Sequence, residues 1–296
     1  MNEDYLWDRS GPPDPEIQHL ERTLAPFGYR VPPRGANKWG TAFRLAAAAA
    51  VIVAIALWQL LPAPQASVWK EGLSLLRAGQ VVRTGGVETT LESEEVGRVE
   101  LGPESELRVE TGSKLLLQRG MLRALIWAPP RQFVVDTPSA RAVDLGCAYT
   151  LQVQPSGDGL LRVEFGWVAF QFDGRESFIP EGAACVTRKQ TGPGVPFYED
   201  APLRPALTAF EAGDSTALPA ILREARPRDG LTLWHLLTRV PEPERAAVLD
   251  RFRQLVPVQV STEAVLRGDA HALDTCWNAL NLDNTSWWRG WERTWK

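Results

Sequence analysis

Arg98-Val99-Glu100-Leu101-Gly102-Pro103-Glu104-Ser105-Glu106-Leu107-Arg108-Val109-Glu110 holds two runs of strict charged/apolar alternation around a Gly-Pro turn. Successive strand side chains point to opposite faces, so each run reads as a half-buried strand with its valines and leucines inward. The same grammar extends in both directions. Gln80 to Thr84 precedes it, and Lys114 to Gln118 and Met121 to Trp127 follow, flanking Arg119-Gly120 as a tight connection. Pro129 and Pro130 break the chain before Phe133-Val134-Val135, Ala142 to Leu145 and Ala148 to Val153. Gly157-Asp158-Gly159 turns into Leu160 to Phe165, and Gly166 leads into Trp167 to Phe172, which Gly174 ends. Phe178-Ile179 and Ala184 to Thr187 complete the series. Short strands punctuated by Gly and Pro predict an all-β sandwich or jelly roll over residues 68–200.

Beyond residue 200 the apolar period changes from two to 3.6. Leu203 to Ala212 reads as a helix ended by Gly213, and Asp214 or Ser215 caps the next, to about Ala225. Leu231 to Val240 places Leu233, Trp234 and Leu237 on one side. Pro243 starts a further helix with Val248, Phe252 and Leu255 aligned. Ser261 caps a short helix through Leu266, and Asp269 to Leu280 and Thr285 to Trp295 finish the chain. Residues 201–296 are therefore expected to form an all-α bundle of helical hairpins. Trp287, Trp291 and Trp295 share one face of the final helix. That aromatic patch fits packing on the bundle, docking of a partner, or stacking against a glycan.

Upstream of the β region, Leu45 to Trp58 carries no charge, and Leu60 and Leu61 continue the apolar run. Residues 42–61 are about as long as a helix needs to cross a bilayer, and Pro62 and Pro64 follow at the exit. One transmembrane helix is expected there. Arg30, Arg34, Lys38 and Arg44 before the run outweigh Lys70 and Arg77 after it, which orients the N-terminus inside. A cleaved signal peptide would need a charged leader of roughly 40 residues, far beyond the usual length. Residues 1–40 then form a short inner tail. In it Asp14 and Pro15 start a helix, and Ile17, Leu20, Leu24 and Phe27 recur at helical spacing. So short a helix cannot bury its own apolar stripe. Either it frays, or Trp7, Ile17, Leu20 and Leu24 dock on a partner.

Formal net charge is -4, so the chain does not advertise a surface for nucleic acid. His19, His235 and His271 stand apart, and no metal-binding spacing, GxSxG elbow, phosphate loop or dinucleotide fingerprint occurs. No enzyme, cofactor or metal is expected. Cys147 and Cys185 both fall in small or apolar strand surroundings. They are either a disulfide pair, contributing about 4 kcal/mol by loop closure, or two buried thiols. Cys276 is left unpaired.

The order Val82-Arg83-Thr84, then residues 99–109, 117–123 and 133–137, resembles the FecR domain. So do Val143-Asp144-Leu145-Gly146 before Tyr149, Val163-Glu164-Phe165-Gly166-Trp167-Val168, and Ile179-Pro180-Glu181-Gly182. The resemblance covers residues 70–190. The inner tail is shorter than that family's usual sigma-binding segment, and Cys147 follows Gly146 where the family commonly has threonine. The resemblance implies a membrane-anchored signal transducer of the bacterial inner membrane, with its C-terminal bulk in the periplasm. Such a protein takes a signal from an outer-membrane receptor and passes it to an extracytoplasmic-function sigma factor, usually as an anti-sigma factor. The competing expectation is a membrane-anchored periplasmic binding or scaffold module without a sigma-factor role.

Overall fold

A computed structural model describes residues 15–25 and 68–282. The chain divides into two compact units, Met1–Pro64 and Gln65–Lys296. In the first, α1 spans Pro15–Leu24. The membrane span expected over residues 42–61 lies outside the described residues. Among these, no helix is long and apolar enough to cross a membrane.

The second unit opens with β1 (Trp69–Glu71), β2 (Ser74–Leu76), β3 (Val81–Arg83), β4 (Thr89–Ser93), β5 (Gly97–Leu101), β6 (Glu106–Thr111) and β7 (Lys114–Ile126). It continues with β8 (Val134–Asp136), β9 (Arg141–Asp144), β10 (Ala148–Val153), β11 (Gly159–Phe165), β12 (Trp167–Phe172) and β13 (Arg175–Pro180). The last strands are β14 (Ala183–Arg188), β15 (Gly192–Pro193) and β16 (Phe197–Tyr198). One face is built in the order β2-β1-β4-β5-β7-β10-β11-β14, with β15 and β16 on the far edge of β14. The other runs β3-β6-β7-β8-β9-β12-β13. Pairing is antiparallel throughout except between β7 and β8. The expected all-β part is thus a large β-sheet domain, with residues such as Leu91, Val99, Leu122 and Leu151 from one face and Leu107, Leu115 and Val135 from the other all fully buried.

β7 belongs to both faces. Its first half pairs with β6 and β8, and its second half with β5 and β10. Arg119-Gly120 is therefore not the hairpin connection that the sequence suggests but a bend inside one strand. Gly120 has φ +97°, and a Cβ there would lie 2.4 Å from Ser105 Cα. Only glycine fits. Ser105 Oγ accepts from the Met121 N–H at 2.9 Å, and the Ser105 N–H donates to Thr84 Oγ1 at 2.8 Å. Thr84 Oγ1 donates in turn to the Gly102 carbonyl at 2.7 Å. The Gly-Pro turn, β3 and the bend are locked together by these bonds.

After Tyr198 the chain is helical: α2 (Arg204–Glu211), α3 (Leu218–Glu224), α4 (Gly230–Leu237), α5 (Glu242–Leu255), α6 (Thr262–Leu266) and α7 (Ala270–Ala279). Local chemistry sets the boundaries. Ser261 Oγ accepts from the Ala264 N–H and Asp269 Oδ1 from the Ala272 N–H, capping α6 and α7, and Pro243 sits in the first turn of α5. Both β12 and β13 contain four consecutive buried residues, because helices cover their outer face. Trp277 of α7 fills that contact, with ring centroids 5.8 Å from Trp167, 5.6 Å from Phe178 and 4.6 Å from Trp234. Strand and helical parts share one apolar cluster.

Gly120→Ala is expected to lower the stability of the second unit by roughly 3 kcal/mol, combining an αL penalty with a backbone clash. Urea titration of the variant checks this. A midpoint within error of wild type would show that the bend does not need glycine.

Candidate functional site

α1 is one of the described segments that expose large apolar side chains. Pro15 stands at its first position, Glu16 complements the positive end of the helix dipole, and Arg22 lies in the last turn. Arg22 Nε donates to the Gln18 carbonyl at 3.3 Å, and Thr23 Oγ1 to the His19 carbonyl at 2.9 Å. Leu20 and Leu24, one turn apart, are 57% and 58% exposed. Two leucines on one exposed stripe of a ten-residue helix are neither buried by it nor needed to form it. Of the other residues expected to share this face, Ile17 lies in α1 and Trp7 outside the described residues. Trp287, Trp291 and Trp295 also lie outside them.

The disulfide alternative for Cys147 and Cys185 is not realised: both are buried free thiols. Strand register explains why. Cys185 lies opposite Leu161, which pairs with Leu151, whereas Cys147 immediately precedes β10. Four residues along the strands and two strands across place them on the order of 15 Å apart, beyond the ~7 Å a bridge tolerates. Cys147 Sγ instead donates to Asp144 Oδ2 at 2.5 Å, and Cys185 Sγ to the Gly194 carbonyl at 3.3 Å. Burial pushes both thiols up, Cys185 to about 12. Neither is a nucleophile near neutral pH.

Asp144 and Tyr149 are polar groups that the strand pattern gave no reason to single out. Asp144 is fully buried at the end of β9, and its Oδ1 accepts from the Gly146 N–H at 2.7 Å. Burial raises its pKa to about 7, against the opposing effect of its hydrogen bonds from Cys147 and Gly146. The Tyr149 hydroxyl is buried without a partner among the described residues, and burial and the charge of Asp144 push its pKa well up.

A second polar set joins strands to helices. The Phe178 N–H on the outer edge of β13 donates to His235 Nε2 at 3.1 Å. The His235 proton therefore sits on Nδ1, facing the Leu231 carbonyl at 2.9 Å. Burial, with Arg239 nearby, lowers the His235 pKa to about 3, so the ring is neutral. Arg239, just beyond α4, donates to the carbonyls of Glu176 at 3.0 Å and Pro193 at 3.1 Å, and to Ser177 Oγ at 2.6 Å. Desolvation lowers its pKa to about 10. Among the described residues no cluster of three or more acidic, histidine or cysteine side chains could hold a metal ion.

Neither a protein-family model nor a curated protein matches the chain. Two crystal structures of a candidate anti-sigma factor from Parabacteroides distasonis, at 1.65 and 2.50 Å resolution, are similar to it. They are 16% identical, with TM-scores of 0.36 and 0.35, over 44% of this chain and 64% of theirs.

The raised pKa of Asp144 makes the stability of the second unit depend on pH. It is raised above its value in the unfolded chain, so its contribution to stability is full below about pH 4 and is lost as pH rises through about 7. Asp144→Asn keeps an acceptor for Gly146 and removes the ionisation. Relative to wild type, the variant should gain on the order of 3 kcal/mol between pH 4.5 and 7.5 in urea unfolding. A wild-type-to-variant difference independent of pH would refute the assignment.

Proposed function

We propose that the chain is a non-enzymatic, single-pass regulator of the bacterial inner membrane. In this reading residues 1–40 lie in the cytoplasm, residues 42–61 cross the bilayer, and the second unit lies in the periplasm. There it receives its input from an outer-membrane receptor or another periplasmic protein. The inner partner is an extracytoplasmic-function sigma factor, held by α1 as by an anti-sigma factor. The observation that carries the reading is the exposed Leu20–Leu24 stripe on a helix with no core of its own. A helix laid in an apolar groove uses this spacing, and a few anchors supply most of the binding energy. The charge bias around residues 42–61 and the resemblance of residues 70–190 to the FecR domain support the same topology.

Leu20→Asp combined with Leu24→Asp places charge on that stripe. Residues 1–40, used as bait with the co-purified sigma factors identified by mass spectrometry, should retain one that the double variant loses at least tenfold. Retention of no sigma factor, or equal retention by the variant, would leave an anchored binding module in its place.

Topology is tested separately by fusing alkaline phosphatase after Lys296. High activity is expected, because the enzyme matures only outside the inner membrane. Inactive fusion protein at normal abundance would invert the orientation.

A further inference from the structure

Exposed apolar side chains of the second unit concentrate on the face that contains β1, β5, β7 and β11. Val81 and Val87 lie elsewhere, but Leu75, Leu125, Trp127 and Phe165 all belong to this face or its rim. Register places three of them in one cross-strand row. Leu75 lies opposite Lys70, Lys70 opposite Glu92, Glu92 opposite Arg98, Arg98 opposite Leu125, and Leu125 opposite Ala148. The register between β10 and β11 shifts at Ala148, skipping Glu164, so that Phe165 ends the row. Bulges re-aim side chains in this way. Trp127 follows Leu125 by two residues, and its Nε1 donates to the Glu94 carbonyl at 2.9 Å. Leu125, Trp127 and Phe165 are 52%, 54% and 65% exposed, on a surface where strand alternation normally puts polar residues.

The charges among these groups are paired. Lys70 meets Glu94 at 2.8 Å, Arg98 meets Glu92 at 2.7 Å, and Arg123 meets Glu164 at 2.8 Å. These pairs leave neither sign in excess, so the row does not select a partner by charge. They also interrupt it, whereas the centre of a protein interface is contiguous and depleted of charge. The headgroup boundary of a bilayer accommodates both kinds of group. Leucine and aromatic rings enter it, paired charges stay at the polar level, and tryptophan is enriched there. Chain length points to the same occupant. Seven peptide steps from Leu61, where the apolar run ends, to Val68 reach at most about 25 Å. Two residues later Lys70 grips Glu94, whose carbonyl holds Trp127. If residues 42–61 cross a bilayer, the row is tethered close to its surface.

We propose that this face of the second unit docks on the lipid bilayer surface, with Leu125, Trp127 and Phe165 entering the headgroup boundary. The proposal rests on the membrane reading above and adds that the second unit lies against the bilayer instead of hanging free of it. The full-length chain, whose three native thiols are buried, is labelled with an environment-sensitive fluorophore at Leu125→Cys, Phe165→Cys or Arg108→Cys. Arg108 is exposed on β6, in the other face, and serves as the reference. The labelled chains are reconstituted into vesicles of phosphatidylcholine and phosphatidylglycerol that carry a lipid with a nitroxide high on its acyl chain. Quenching at 125 and 165 is expected to be at least about threefold that at 108. Leu125→Asp, placed in the Phe165→Cys chain, should reduce quenching at 165. If the chain resists carbonate extraction but 125 and 165 are quenched no more than 108, or the aspartate changes nothing, the docking is overturned and the span stands. Blue-shifted but unquenched labels at 125 and 165 mean that a second copy covers the row, and overturn the docking as well. A chain that carbonate strips from the vesicles overturns the span itself, and the docking with it.

Discussion

The bend at Gly120 is the constraint on which the second unit depends. A single strand that serves two sheets must change direction without losing its ladder on either side, and β7 does so at one residue with φ +97°. The backbone of Ser105 occupies the space a side chain would need. Ser105 also accepts the Met121 N–H just past the bend, so the distortion exposes no unpaired donor there. Because β5 and β6 are joined through the same Gly-Pro turn, the register of both sheets is set from this corner. A slip by one residue in either half of β7 would turn Leu115 and Leu117, or Leu122 and Ala124, out of the core.

The other end of the second sheet raises the opposite problem. β13 is an edge strand, and an uncovered edge invites pairing with another chain. Here the helices close it with side chains rather than with another strand. His235 takes the Phe178 N–H and Arg239 takes the Glu176 carbonyl, while Trp277 packs on Phe178 and Trp167. A neutral imidazole and a desolvated guanidinium do the work of strand hydrogen bonds, which is why helices and sandwich form one core despite their separate sequence periodicities.

Many strands were legible because they are half-buried, as Ala148–Val153 is, whereas Trp167–Phe172, with four consecutive buried residues, was legible as an apolar run between Gly166 and Gly174. What escaped was of two kinds. Thr89–Ser93 carries one apolar residue, Leu91, and a buried serine, so its period is invisible, and Trp69–Glu71 and Ser74–Leu76 are too short to show one. Gly120 was visible as a special residue but ambiguous, since a turn and a bend both need positive φ and only the position of Ser105 separates them. The cysteine alternative was undecidable for the same reason: local composition is silent about register. Of the α1 stripe, Leu20 and Leu24 were readable from spacing alone. His235 and Arg239 were not, because their partners lie on strands distant in sequence, and Asp144 was not, because its burial comes from sheet packing although its partners Gly146 and Cys147 are adjacent.

Two buried titratable groups meet in one ladder. Asp144 of β9 pairs with Val168 of β12, which pairs with Ile179 of β13, next to the Phe178 that His235 serves. Burial disfavours the charged form of each, but their linkages to pH oppose each other. His235, lowered to about 3, contributes stability above the usual histidine pKa of ~6.5, which is lost as pH falls toward its folded value. Asp144, raised to about 7, gains stability over much of the same descent. Acid therefore lowers the contribution of His235 to the stability of the unit while raising that of Asp144. The two effects offset each other in the stability of the whole unit between about pH 4 and 6.5, yet they act at different places. Because the folded His235 ring stays neutral down to about pH 3, its bond from the Phe178 N–H holds α4 on β13 throughout that range.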